Sequence, residues 1–307
     1  MKIDKKYIVL LSIVGILILI LLLNNYLQNI KPPLPKIKQI KFIDKVEVYR
    51  KNKLDMIFIL SNSKWWFLPD EYPAEDSNLD LILDNIKKIN LVDLISRSGI
   101  YENYNLDDEN KIVVKAYSSN NLIREIIIGK PSPTYQHTYI MLGGDKNVYT
   151  AKGRFTEVFS KDKEAYCSKN LVRLQKDSII QIIIKQDNKE VKIAKNTKAI
   201  TITNTNQTQT TTNIVEWFVN NKIITNDVID KFIDSITPLN ASELYNEKLS
   251  NQNKFLRKIN IKALNEELDL YIVKKLTNSN YVIGISGIPS LYVVPAMAGD
   301  NLMKEIK

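Results

Sequence analysis

The chain has one cysteine and one histidine among its 307 residues. A lone cysteine closes no internal disulfide, and a cysteine-based zinc or iron–sulfur site is excluded with it. A single histidine removes most metal-centre chemistry. Glycine (9) and proline (10) are too sparse for a collagen-like or low-complexity chain. What is present, 44% hydrophobic and 25% charged residues, is the composition of a globular protein. No catalytic residue, cofactor-binding residue or metal ligand emerges from this inventory, and no cofactor is expected.

The net charge of +9 is confined to part of the chain. Residues 31–64 carry nine Lys/Arg against Asp44, Glu47 and Asp55, whereas residues 65–307 carry 31 Lys/Arg against 30 Asp/Glu. A nucleic-acid binder places its basic face on the folded domain. Here that part is nearly neutral, which argues against nucleic acid as a partner.

The one long apolar run is Tyr7–Leu23, uncharged, with only Ser12 and Gly15 as small residues. As a helix it spans about 25 Å, slightly short of a ~30 Å hydrocarbon core. It exceeds a signal-peptide core, and the following Asn24–Pro33 offers no small-x-small cleavage site. We therefore expect an uncleaved single-pass anchor in a bacterial cytoplasmic membrane. Lys5 and Lys6 abut the run, so the N-terminus is read as inside and the bulk of the chain as extracytoplasmic. Beyond the anchor, Pro32, Pro33 and Pro35 stiffen a lysine-bearing tether that either lies on lipid headgroups or is simply solvated.

The remainder repeats itself. Trp66-Phe67 recurs as Trp217-Phe218, each pair followed by a helical pattern. Leu79, Ile82, Leu83 and Ile86 have the i, i+3, i+4, i+7 spacing of a one-sided helix, and Ile229, Phe232, Ile233 and Ile236 repeat it at an offset of 150. Ser77 with Asp80 reads as a capping box for the first helix, and Thr225 or Asn226 as a cap for the second. Asp80, Asp84, Asp230 and Asp234 fall on the solvated faces. Ile112-x-Val114-x-Ala116 matches Ile259-x-Ile261-x-Ala263, and strands near Tyr139-Ile140 and Val148-Tyr149 match those near Tyr281-Val282 and Leu291-Tyr292. Opening hairpins are expected at Val46–Arg50 with Asp55–Leu60 and at Ile179–Lys185 with Glu190–Ala194. Short turns between consecutive strands predict mostly antiparallel sheets. The fold class is accordingly α+β: a transmembrane helix, then two tandem repeats, each a mostly antiparallel sheet with a helix packed on it. The boundaries are 1–6 (cytoplasmic tail), 7–23 (anchor), 24–41 (tether), 42–160 (first repeat), 161–177 (connection) and 178–307 (second repeat). Thr201–Asn213 is an insertion in the second repeat, read as an exposed loop or edge hairpin.

Laid out this way, residues 42 to about 300 resemble domain-of-unknown-function family 4340 (DUF4340), envelope proteins with a membrane helix and a repeated α+β unit. The resemblance is carried by Trp66 with Pro73-Ala74 and Asp76, by Tyr104-Asn105-Leu106-Asp107 in place of a Tyr-Gly-Leu-Asp turn, and by Ile128-Gly129, Tyr139-Ile140 and Val148-Tyr149. Ser168-Lys169-Asn170 stands where the family has Arg-Asp-Lys. The resemblance implies an envelope location and, as partner, the membrane subunits of an ABC-type transporter of the gliding-motility kind. It implies no catalytic residues.

Other constellations are weak. His137 with Ser132 and Asp145 is formally a triad, but no Gly-x-Ser-x-Gly elbow surrounds a serine. Cys167 has no base other than the one histidine to activate it. Gly129-Lys130 lacks the preceding glycine and the following Ser/Thr of a phosphate loop. Gly143-Gly144-Asp145 reads as a hairpin turn. Trp66 and Trp217 read as core anchors and Trp65 as the exposed aromatic. Glu71, Glu75, Asp76 and the Asp107-Asp108-Glu109 run read as helix-start and turn acids before an acid–base pair. The reading is thus a non-catalytic accessory or interaction protein of the envelope. The alternatives are an envelope glycoside hydrolase using two carboxylates and a glycan- or peptide-binding module.

Overall fold

A computed structural model describes residues 12–23, 33–97, 99–203, 209–250 and 254–306. The expected cytoplasmic tail 1–6, the first part of the expected anchor and tether residues 24–32 lie outside the described residues. Residues 12–23 form a helix, α1, whose apolar side chains from Ile13 to Leu23 are exposed. Among the described residues no helix is long and apolar enough to cross a membrane.

The first half contains β1 (Lys45–Arg50), β2 (Lys53–Ser61), β3 (Lys64–Leu68), β4 (Tyr72–Pro73), α2 (Asp76–Lys87), β5 (Leu91–Ser96), β6 (Ile112–Ser118), β7 (Asn121–Pro131), β8 (His137–Leu142) and β9 (Val148–Lys152). Two short helices, α3 (Phe155–Phe159) and α4 (Lys163–Tyr166), and the strand β10 (Asn170–Val172) follow. The second half contains β11 (Ile179–Gln186), β12 (Lys189–Thr203), β13 (Gln209–Val219), β14 (Lys222–Ile224), α5 (Asn226–Ile236), β15 (Leu239–Asn240), β16 (Glu243–Lys248), β17 (Arg257–Ala263), β18 (Glu267–Lys275), β19 (Tyr281–Ile285), β20 (Ile288–Val294) and α6 (Ala296–Leu302).

The two nine-stranded sheets have the same strand order. One runs β4-β3-β2-β1-β6-β7-β8-β9-β5, the other β14-β13-β12-β11-β17-β18-β19-β20-β16. In each, the helix sits in the chain between the short edge strand and the strand that closes the opposite edge. Antiparallel pairing holds within both sheets, as in β6–β7 and β17–β18. The helix periodicities place their residues as expected: Leu79, Ile82, Leu83 and Ile86 are buried on α2, and Ile229, Phe232, Ile233 and Ile236 on α5. Asp80, Asp84, Asp230 and Asp234 are exposed.

Three local expectations are corrected. α2 starts at Asp76, so Ser77 lies inside its first turn and the Ser77–Asp80 capping box does not form. Thr225 does occupy the N-cap position of α5, but its side chain makes no cap hydrogen bond. The Trp66–Trp217 match is one residue out of step. Trp217 is buried, but its counterpart in the core is Phe67, with Trp66 and Trp65 both half-buried. Alternation along β3 is the reason: Phe67 lies opposite Phe58 and Tyr72, which turns Trp66 to the other face. Phe67 also keeps the offset of 150 that relates the two helices. Residues 161–177, read as the connection, contain regular structure. They hold α4 and β10, and β10 pairs with β15.

The Thr-rich insertion is a hairpin arm. β12 and β13 pair out to Thr203 and Gln209, while β11 accompanies β12 only as far as Ala194. Residues 204–208 lie outside the described residues.

The chain forms two compact units. The first gathers the described parts of Met1–Ile43, Val48–Lys53 and Leu83–Ser160, the second Asp44–Glu47, Leu54–Ile82 and the described parts of Lys161–Lys307.

Candidate functional site

In the first unit, the residues of the Tyr104–Asp107 turn and of Ile128-Gly129 are brought together. Residues Tyr101–Tyr104 form a single 3-10 turn that ends at Asn105, whose φ of 55° is left-handed. Asparagine is among the few non-glycine residues that accept this conformation, which explains how it replaces the glycine of the turn. The turn lies against β7. A Cβ on Gly129 would overlap the Tyr104 carbonyl oxygen and stand 3.0 Å from Leu106 Cγ. Gly129 is thus a close-approach glycine, and its neighbour Lys130 belongs to a strand and not to a phosphate loop. The Tyr104 ring stacks at a tilt on Tyr139, centroids 5.0 Å apart.

Beside this turn lies an open groove of about 660 Å³ that collects Asp107, Asp108, Glu125 and Asp145 with Lys111 and Lys146. The carboxylates of Asp107, Asp108, Asp145 and Glu125 have partners. Asp107 accepts from the Asn110 amide at 2.9 Å and from the Glu109 N–H at 3.1 Å. The bond from Asn110 holds its carboxyl below the ordinary range. Asp108 is held low in the same way by its bond from Lys111. Burial pushes Asp145 upward, but the Tyr149 hydroxyl at 2.6 Å and the Asn147 N–H at 2.9 Å outweigh it and leave the group lowered. Glu125 stands 3.9 Å from Lys115. A general acid needs a raised carboxyl, and these three aspartates move the opposite way.

The formal triad is not assembled. His137 opens β8, and its carbonyl accepts from the Ser132 N–H at 2.8 Å. The Ser132 hydroxyl bonds Thr134 at 3.1 Å, and Asp145 is taken by Tyr149.

In the second unit, a buried polar knot surrounds Tyr72. Its hydroxyl donates towards the carbonyls of Tyr245 (2.8 Å) and Leu291 (2.9 Å) and accepts from the Tyr245 N–H (3.1 Å). The Tyr72 and Tyr292 rings meet edge to face at 5.2 Å. Burial pushes the Tyr72 phenol up to about 12, and it raises Tyr292 as well. Cys167 is buried and bridges Ala74. Burial pushes its thiol up to about 12, the reverse of what a nucleophilic cysteine needs. The expected helix-start acids have structural tasks here: Glu71 pairs with Lys248 at 3.0 Å, and Asp76 lies in the first turn of α2. Ser168 and Lys169, from the segment Ser168-Lys169-Asn170, bind backbone carbonyls of this unit. Ser168 N–H reaches the Pro73 carbonyl at 2.8 Å, and Lys169 Nζ reaches the Ser242 carbonyl at 3.0 Å.

Tyr72, which organises this knot, carried no signal in the sequence. Neither did Arg257, a buried guanidinium that binds Gln186 and the carbonyls of Leu302 and Lys304 at the end of α6. Among the described residues no group of three or more His, Cys, Asp or Glu is placed to hold a metal ion.

No curated protein and no solved structure matches the chain. Residues 66–260, more than half of its length, match the family model described as Domain of unknown function (DUF4340). The match takes in Trp66, the Tyr104–Asp107 turn, Gly129 and the linker at Ser168, the same features whose packing has just been described. The chain belongs to the DUF4340 family.

Proposed function

We propose that this protein is a membrane-anchored, extracytoplasmic accessory module of the bacterial cell envelope, built to hold a partner and not to carry out chemistry. In this reading Tyr7–Leu23 is a single-pass anchor with the N-terminus inside, residues 24–41 are the tether, and 42–160 and 178–307 are tandem repeats joined by 161–177. The partner is the membrane part of an ABC-type transporter. The observation that carries the reading is the joining of a 17-residue uncharged apolar run to two sheets of identical strand order. The side chains best suited to reactivity support it, because they are used structurally: Cys167 is buried with a raised thiol, Tyr72 ties backbone, and Asp145 holds a turn.

Purification of the tagged full chain from mild detergent, followed by mass spectrometry, tests the partner. Enrichment of multi-spanning transporter subunits over a tag-only control is the expected result. A soluble enzyme complex as the main co-purifying species would contradict it.

A further inference from the structure

Residues 33–43 contain neither helix nor strand, yet they are ordered on the first unit by a regular pattern. Leu34, Ile37 and Ile40 are half-buried and Ile43 is buried, with exposed residues between them. A three-residue repeat is the winding of a polyproline II ribbon, which Pro33 and Pro35 favour. Arg124, from β7, clasps the ribbon. One guanidinium nitrogen donates to the Lys38 carbonyl, and the other to the carbonyls of Ile86 (2.5 Å) and Lys87 (3.3 Å) at the end of α2.

Between ribbon and helix end lies a cleft of about 430 Å³. Its polar lining is Lys41, Lys87, Lys88, Gln39 and Asn90, with no carboxylate, over a floor that includes Ile37 and Ile40. Lys88 keeps a surface ion pair with Asp84 at 3.1 Å, which water screens. A bare helix C-terminus would repel an anion. Here Arg124 occupies two of the last carbonyls, so the helix end presents cations. Leu122 and Ile123 share a neighbouring depression with Lys36, Lys38 and one carboxylate, Glu125, and Leu122 and Phe42 are half or more exposed. Lysines interleaved with exposed apolar side chains are the composition of a surface that seats on a bilayer interface. The apolar run ends at Leu23, thirteen residues before Lys36. An extended linker of that length reaches about 40 Å, so the cleft stays within reach of the headgroup layer.

We propose that this cleft binds the phosphate headgroup of an anionic lipid, with Lys41, Lys87 and Lys88 as cations and Gln39 and Asn90 as donors to the glycerol oxygens. The proposal rests on the membrane-anchored reading above and adds to it a lipid-specific site on the folded domain. Calorimetric titration of the detergent-solubilised full chain with dihexanoyl phosphatidylglycerol, dihexanoyl phosphatidylcholine and inorganic phosphate tests it. Phosphatidylglycerol should bind about tenfold or more tighter than either alternative. The triple variant K41Q/K87Q/K88Q should lose that preference, K41R/K87R/K88R should keep it, and K185Q/K189Q on the second half should not change it. Equal binding of both lipids, phosphate binding as tight as the lipid, or an unaffected glutamine variant with an unchanged melting temperature would each overturn the site. Extraction of the chain from membranes would count against the anchor alone, because this titration uses no bilayer.

Discussion

Gly129 and Tyr104 are in direct apposition: the strand carrying Gly129 passes beneath the Tyr104 carbonyl so closely that a Cβ has no room. Two short motifs, separated in sequence by a strand and a turn, are therefore one packing unit in which the left-handed Asn105 turns the chain down onto β7. Gly129→Ala should destabilise the fold by about 1–3 kcal/mol, as overpacking does. Asn105→Gly should be nearly neutral, and Asn105→Val should cost about 1–2 kcal/mol for a left-handed β-branched residue. Urea unfolding of the three variants checks this. An unperturbed Gly129→Ala would mean the turn does not rest on the strand.

The core anchors are predicted to be Phe67 and Trp217. Each changed to Ala should cost about 3–5 kcal/mol. Trp66→Ala should cost clearly less, because Trp66 is half-buried and Lys64 covers its ring at 5.2 Å. Parallel denaturation curves decide it, and a Trp66 variant as damaging as the Trp217 variant would restore the simple dipeptide match.

The Tyr72 hydroxyl is predicted to matter more than its size. Tyr72→Phe removes one oxygen yet leaves the Tyr245 N–H and two carbonyls without that partner. A cost of about 1–3 kcal/mol is expected. Hydrogen exchange at the Tyr245 amide should rise in the same variant, and an unchanged rate would show that the knot is not holding β16.

Stability should fall in alkali. Burial raises the Cys167 thiol from 9.0, and the Tyr72 phenol from 10.0, to about 12 in the folded chain. The neutral forms are favoured by folding, so their contribution is complete below about pH 9 and is lost as pH rises towards 12. Each group can add a slope of up to about 1.4 kcal/mol per pH unit in that window. Denaturation midpoints at pH 8 to 11 should decline less steeply in Cys167→Ala than in the parent chain. Identical slopes would show that folding does not raise the Cys167 thiol.

Much of the scaffold was legible because it is periodic. Leu79, Ile82, Leu83 and Ile86 announce a helix face by spacing alone, and the same spacing 150 residues later announces its copy. The Trp dipeptides misled because strand alternation, and not residue identity, decides which side chain faces the core, and a shift of one residue reverses the face. Arg124, the clasp of the tether, could not be read, since its partners stand 38 and 86 residues away and are backbone carbonyls that any residue would supply. Cys167 could be set aside as a nucleophile from the shortage of histidine, but its place beside Ala74 depended on a linker whose sequence gives no strand signal.

The central claim is that an anchored chain displays its two sheets outside the cytoplasm. Spheroplasts carrying the full chain with an epitope tag after Lys307 test it most directly, treated with external protease and, separately, with alkaline carbonate. The account predicts that protease removes the tag from intact spheroplasts and that untreated protein stays in the carbonate pellet. A tag that survives until the membrane is permeabilised, or a chain released into the carbonate supernatant, would contradict it.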